Sequence, residues 1–355
     1  LPLKQKIRYI RYLPLLFFLN RIRKETNYSF ARKLKSPFLK EAFELLFDGE
    51  ELPLMIITMP LAYGDLRSAG YPVGGASVFV SKLMERYVAL GGQIQYQSSV
   101  RKILVTDNRA YGIQLENGDK IQSDLVHSAA DWHFTLFDAL DGKYVNKTIR
   151  ELETRKRLKV YYSLVIVSLG IRRGFEGEPH FLRFPVDQEL VSPDSTRYSR
   201  LEAHIYNYDP TLAPEGKTVV SISFYTMNAD YWITLRETNK STYNKMKEEF
   251  AGKVIDLMEK KFGRIKEFIE EVDVATPATL FRYTNNWKGS AQGWLPGKNL
   301  IARSLIKPTL PGLKNFYYSG HWSIAGGGLP VALKSARDVV QIICRDRGQR
   351  FEMDQ

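Results

Sequence analysis

The residues best suited to chemistry lie near the end of this 355-residue chain, in Phe316-Tyr-Tyr-Ser-Gly-His-Trp-Ser-Ile-Ala-Gly-Gly-Gly-Leu-Pro-Val-Ala-Leu-Lys-Ser-Ala-Arg337. The apolar aromatic run Phe316 to Tyr318 predicts a buried strand that stops at Gly320. Gly326, Gly327 and Gly328 follow, and the spacing then turns helical. Glycine lets a backbone approach a ligand closely, because no Cβ intervenes and unusual dihedrals cost little. The helix beyond offers unpaired N–H groups and the positive end of its dipole, which suits a pyrophosphate or an electron-rich ring. Pro330 sits in the first turn, where its missing N–H does no harm. Strand, glycine turn and helix is how α/β proteins hold nucleotide-like cofactors. A plain tight connection between strand and helix is the other reading of the same glycines.

A second block must supply the rest of such a cradle. Gly70-Tyr-Pro-Val-Gly-Gly75 precedes a predicted helix whose apolar positions Val80, Leu83, Met84, Tyr87 and Val88 follow i, i+3, i+4, i+7 spacing. Gly91-Gly92 closes it. Ile94 and Tyr96 alternate as in a strand. Val100–Thr106 and Tyr111–Leu115 flank a turn at Asp107-Asn108, and Asn117-Gly118 turns the chain into Lys120-Ile-Gln122, a strong hairpin signal. Asp124-Leu-Val-His-Ser-Ala-Ala-Asp131 reads as a strand ending in small residues.

Together the two blocks resemble the phytoene desaturase, carotenoid isomerase and retinol-saturase-like family of FAD-dependent oxidoreductases. The similarity rests on Pro72-Val-Gly-Gly75, Gly91-Gly92, Gly112–Gly118, Ser128-Ala-Ala-Asp131 and the closing Gly320-to-Arg337 motif, and is strongest over 65–135 and 270–347. It implies a mixed α/β (α+β) fold, with a partial FAD-binding Rossmann-like domain interleaved with a substrate domain built on a mainly antiparallel sheet plus helices. Residues 1–70 would form a helical, substrate- or membrane-facing segment, 71–134 part of the FAD domain, 135–310 the substrate domain, 311–347 the return to the FAD domain and 348–355 a tail. The resemblance assigns FAD contacts to Gly75 and, at the adenine end, to Val100, Ala129, Ala130 and Asp131. It assigns Gly320 to the ribityl chain, and Gly327, Gly328, Leu329 and Pro330 to the isoalloxazine ring. His321 stands where many such flavoproteins place Asp or Glu against a ribityl hydroxyl. Trp287 and Trp294 would wall the substrate cavity, or else belong to a plain surface loop.

Family members open with a strand, a Gly-x-Gly-x-x-Gly turn and a helix, and residues 1–60 contain no such pattern. The chain therefore reads as the C-terminal portion of a longer flavoprotein, or as one whose nucleotide-binding half is a separate polypeptide. FAD would be weakly retained without that half. The implied activity is desaturation or saturation of C–C bonds in a long apolar, carotenoid- or retinoid-like substrate. Polyene isomerisation through reduced flavin and a non-catalytic membrane-associated module are the alternatives. No carboxylate pair or nucleophile–His arrangement identifies a catalytic residue.

Composition narrows the classes further. Hydrophobic residues make up 44% of the chain, ample for a core. Cys344 is the single cysteine, so no intrachain disulfide or Cys-rich zinc site forms, and its apolar helical surroundings predict a buried small hydrophobe. The five histidines (127, 133, 180, 204, 321) contain no His-x-x-x-His pair, which argues against a metal centre. Residues 1–40 carry eleven Lys and Arg against one acidic residue, Glu25, and so hold most of the chain's net +12. Within them Tyr12–Leu19 is apolar but far short of the ~20 residues that span a bilayer. Residues 1–40 therefore suit an anionic membrane surface; a cap helix with a solvated basic face is the second reading. No nucleic-acid motif accompanies the charge, and no secretory leader is recognisable, so the expected location is cytoplasmic, peripheral to a membrane. Strands are predicted at Val160–Gly170, Glu202–Tyr206, Thr218–Tyr225 and Ile265–Val274, with an amphipathic helix over Ser241–Phe262 and a short one opened by Thr276-Pro277.

Overall fold

The computed structural model describes residues 13–22, 25–45, 52–154, 159–295 and 306–352. Of the eleven basic residues expected at a membrane, Arg21, Arg32, Lys33, Lys35 and Lys40 are among them; Lys4, Lys6, Arg8, Arg11, Arg23 and Lys24 lie outside the described residues. Four short helices come first: α1 (Leu13–Ile22), α2 (Asn27–Ala31), α3 (Pro37–Leu45) and α4 (Leu54–Asp65). A capping box between Thr26 and Ser29 starts α2, satisfying two N–H groups that the first turn leaves without partners. The buried Asn27 accepts the Leu52 N–H at 2.9 Å, and Ile22, Leu54, Phe30 and Phe43 form a small apolar cluster among the helices.

Helix α5 (Gly75–Ala89) forms where its periodicity predicts, and Gly91 leaves it with φ +88°. Its apolar stripe is nevertheless bare: Val80, Leu83, Tyr87 and Val88 are all exposed and no residue of the helix is buried. The strand expected at Ile94 and Tyr96 does not form. Alternation encodes two faces, but strand hydrogen bonds need a neighbour, and among the described residues none pairs with this segment.

The meander does form, as β1 (Val100–Thr106), β2 (Arg109–Leu115) and β3 (Lys120–Gln122). Asp107 and Asn108 both take left-handed φ, +46° and +56°, as a two-residue hairpin turn demands. The strand beyond is short, β4 (Val126–Ser128), and a π-helical turn over Phe134–Ala139 and α6 (Lys147–Glu153) follow.

The second half is a five-stranded antiparallel sheet of β5 (Ser163–Ile171), β6 (Phe181–Val191), β7 (Arg197–Ile205), β8 (Thr218–Thr226) and β9 (Ile269–Ala275), in the order β6-β7-β8-β5-β9. In β5 and β8 every second residue is buried. Those residues, with Leu201, Ala203 and Ile205 of β7, pack against Trp232, Phe250, Val254 and Met258. These come from α7 (Ala229–Thr238) and α8 (Lys240–Phe262), so the two helices cover one face of the sheet. The buried Asp194, between β6 and β7, ties that layer together. It accepts the Thr226 hydroxyl at 2.7 Å, the Trp232 indole N–H at 2.9 Å, the Thr196 amide at 3.0 Å and the Ser192 hydroxyl.

Thr276 and Thr279 form a second capping box at α9 (Pro277–Thr284). The chain then closes with β10 (Phe316–Tyr318) and α10 (Gly328–Asp346). Strand β10 pairs with β4 in parallel, and the Ala110 amide of the meander donates to Lys314 O at 3.0 Å. The early and late blocks thus fold together. They share a core of Trp132, Leu136, Ile149, Leu152, Trp294, Phe316, Tyr318 and Trp322. Cys344 is half-buried rather than buried, because α10 turns its inner edge, with Ser335 and Val339, to the core and leaves Leu333 and Val340 outside.

Candidate cofactor site

Parallel strands deliver ligands to their carboxyl ends, and here those ends are adjacent. Phe316, Tyr317 and Tyr318 stand opposite Val126, His127 and Ser128, and the Ser319 amide continues the ladder to Ser128 O at 3.0 Å. Ala129, Ala130 and Asp131 therefore leave β4 beside Ser319, Gly320 and His321 leaving β10. Gly320 has φ +131° and turns toward Ala129, whose carbonyl lies 3.6 Å from where a Cβ would sit. Its amide donates to Ser335 Oγ at 3.0 Å, which fixes the strand end to α10.

The triple glycine forms the floor of this corner. Gly326 donates to Trp294 O at 2.9 Å and Gly327 to Ile324 O at 3.2 Å. Gly327 lies so close to the 290–294 loop that a Cβ would fall 1.9 Å from Gln292 O. Gly328 and Leu329 begin α10 with no side chain capping them, and Leu329 is exposed. The open first turn of a nineteen-residue helix thus stands next to the two strand ends.

Asp131 is occupied structurally. One carboxylate oxygen accepts the His133 and Phe134 amides at 2.8 and 3.0 Å, and the other accepts Trp287 N at 3.0 Å. Burial pushes its pKa above the ordinary carboxylate range despite these bonds. Asp131→Asn replaces one acceptor by an NH₂ facing an N–H donor. Denaturant unfolding should show a loss of about 1–3 kcal/mol, the cost of an unsatisfied buried group.

Trp287 and Trp294, expected as cavity walls, come together with ring centroids 6.1 Å apart. Trp294 is fully buried and donates its indole N–H to Trp322 O at 3.1 Å. Trp287 stacks on His133 at 4.9 Å. Both join Trp132 and Trp322 in an aromatic cluster behind the strand ends. Gly75 and Val100 lie elsewhere. Gly75 starts α5 against Leu212, with the neighbouring Gly74 amide donating to Asp209 at 2.7 Å, and Val100 begins β1.

Sequence reasoning gave no sign of the unsatisfied polar atoms at this corner. Trp132 Nε1, Tyr318 OH, His321 Nε2 and Ser323 Oγ are buried without hydrogen-bond partners among the described residues. Such atoms are rare in native proteins and call for a partner. Burial lowers the His321 pKa, keeping the ring neutral at pH 7, and drives the Tyr318 phenol well above its ordinary value. Orphaned polar atoms, a glycine-walled corner and an uncapped helix end suit a polar ligand carrying a planar ring.

No family model matches the chain. It is 27% identical over 240 residues to the chloroplastic prolycopene isomerase of Daucus carota, covering 65% of this chain and 37% of that protein. It is 25% identical over 305 residues to the phytoene desaturase of Fusarium fujikuroi, covering 78% of this chain and 52% of that one. The chain is related to the phytoene desaturase and carotenoid isomerase family. The all-trans-retinol 13,14-reductase of Danio rerio is 24% identical over 288 residues, covering 72% of this chain and 46% of that protein. The chain thus spans 37 to 52% of the length of these relatives. Among solved structures, a putrescine oxidase redesigned in its cofactor binding superposes with a TM-score of 0.57 at 11% identity, over 91% of this chain and 69% of that one. That likeness shows the mixed helix-and-sheet fold.

Proposed function

We propose that this chain is the substrate-facing and cofactor-closing part of a FAD-dependent oxidoreductase. It would act on C–C bonds of a long apolar, carotenoid- or retinoid-like substrate, by desaturation or saturation. The observation that carries the reading is the corner where β4 and β10 end side by side against the uncapped start of α10, in a chain related to carotenoid enzymes. When bound, FAD supplies hydride exchange with the substrate carbon chain. On the protein's side, Gly320 and Gly328 present bare backbone, the α10 N-terminus favours negative charge, and the neutral His321 offers Nε2 to a hydroxyl. The sheet face turned away from α8 carries Leu164, Ile166 and Tyr225 half-buried, an apolar floor suited to a polyene.

Isomerisation through reduced flavin is the second reading. It is favoured by relatives named prolycopene isomerase at 26 to 28% identity. The location peripheral to a membrane also stands as a proposal. The cytoplasmic assignment competes with the chloroplastic names of the plant relatives, and fractionation of tagged full-length protein decides between them.

The decisive experiment expresses the full reading frame and reads the 450-nm band that survives gel filtration with added FAD. Retention is expected, with Gly320→Val lowering it at least about tenfold, since a side chain would occupy the approach a glycine leaves open. Colourless protein that takes up no FAD would remove the oxidoreductase reading and leave a non-catalytic module. Chromatography of polyene products then separates the reactions: isomerisation conserves the number of double bonds, whereas desaturation and saturation change it.

A further inference from the structure

We propose that the cleft between α7, α8 and α9 binds a nucleoside polyphosphate. The cleft encloses about 420 Å³, within the size range of small-ligand sites. Arg236 lines it from the last turn of α7, Lys240 and Lys247 from α8, and Arg282 from the last turn of α9. Asp273 on β9 is the single acidic residue of the lining, so four positive charges less one leave a balance of three. Elsewhere in the same layer lysines are neutralised: Lys266 pairs with Asp256 and Lys288 with Asp230, each at 2.6 Å. Arg236, Lys240, Lys247 and Arg282 have no ion-pair partner among the described residues. Like charges gathered in a concavity focus a field that draws in a counter-ion. Helix α8 adds to the demand. It opens with Lys240 and has no acidic residue in its first turn, which sets basic charge against the positive end of its dipole. A bound polyanion offsets that cost.

The rest of the lining narrows the ligand. Tyr243 is buried, and its hydroxyl shares hydrogen bonds with Thr276 Oγ1 at 2.8 Å and Thr279 Oγ1 at 3.4 Å. Lys247 Nζ stands 5.4 Å from the centre of the Tyr243 ring, a contact that steadies the ammonium. Arginine offers paired donors to a phosphate and lysine a point charge, so the set accommodates more than one phosphate group. Tyr283, 74% exposed beside Arg282, presents a ring on which a base can stack. Asp273 presents an acceptor for a ribose hydroxyl or an exocyclic amine. The cleft shares no residue with the corner at the ends of β4 and β10, so this inference does not rest on the flavin reading.

The test titrates the full reading frame with ATP, AMP and inorganic triphosphate by calorimetry, in excess FAD so that adenine uptake at a flavin site is blocked. ATP should bind saturably, more tightly than AMP, and more weakly as salt rises. Lys240→Ala/Lys247→Ala should lower ATP affinity at least about tenfold. Lys253→Ala, exposed on α8 outside the cleft, should leave it unchanged. Tyr283→Ala should weaken ATP about fivefold or more without affecting triphosphate. Absence of saturable ATP binding, or ATP affinity kept by the folded double variant, would overturn the proposal. So would an equal loss with Lys253→Ala, which would mean diffuse charge attraction, or triphosphate binding as tight as ATP, which would refute the nucleoside. If the double variant misfolds, Arg282→Gln decides: ATP affinity should fall severalfold, and an unchanged affinity refutes the site.

Discussion

Gly327→Val should be among the most damaging substitutions, costing about 3 kcal/mol or more and lowering the melting temperature by several degrees. Two causes add. Gly327 has φ +48° and ψ −145°, a backbone region that β-branched residues avoid. Its Cβ would also sit 1.9 Å from Gln292 O and 3.2 Å from His321 O. Both neighbours are backbone atoms and cannot rotate aside as a side chain would. Gly326 provides the contrast: its φ is +93° but no atom lies within 4 Å of a Cβ. Gly326→Ala should therefore cost only the dihedral strain, about 1–2 kcal/mol. Equal melting temperatures for the two variants would show that contact with the 290–294 loop does not hold the turn.

Asp194→Ala should destabilise the chain by about 3 kcal/mol or more, since hydrogen bonds to a buried charge contribute about 1.5–3 kcal/mol each and several donors are orphaned together. The Trp232 indole, the Thr226 and Ser192 hydroxyls and the Thr196 amide all lose their acceptor. The same residue sets a pH dependence. Burial alone would raise the Asp194 pKa, but the Ser192, Thr226 and Thr196 donors outweigh it and hold the carboxyl below its ordinary range. A lowered folded pKa means stability that is present above the unfolded value and lost as pH falls through the folded one. Wild type should thus lose this contribution below about pH 4, and Asp194→Ala should show a flatter acid limb in denaturant titrations. An unchanged acid limb would shift the effect to other carboxylates.

Local chemistry made part of this fold legible in the sequence. Asp107-Asn108 and Thr276-Pro277 specify a hairpin turn and a helix start through their own dihedrals and side-chain bonds, so they were readable without tertiary information. Strand β6 was not, because it lies at the edge of its sheet and breaks register between Pro185 and Leu190. Proline is tolerated at an edge, where alternation is also weak. Ile94 and Tyr96 failed the other way, having the pattern of a strand but no partner. The Gly-rich composition around Trp294 suggests a surface loop, yet its ring is fully buried against Trp132 and Trp322, a packing decision made by distant residues. At the candidate site, the glycines were visible as a motif and their adjacency to Ala129–Asp131 followed from resemblance. The orphaned His321 and Tyr318 atoms emerge only from packing.

The bare stripe of α5 and the short parallel pair β4–β10 have a practical result for anyone producing this polypeptide. Val80, Leu83, Tyr87 and Val88 facing water will seek apolar company, and short parallel strands attract further strands. Purified at high concentration without a covering chain, the molecule should form polydisperse aggregates, and a polypeptide that supplies a strand and an apolar helix face should restore a single species.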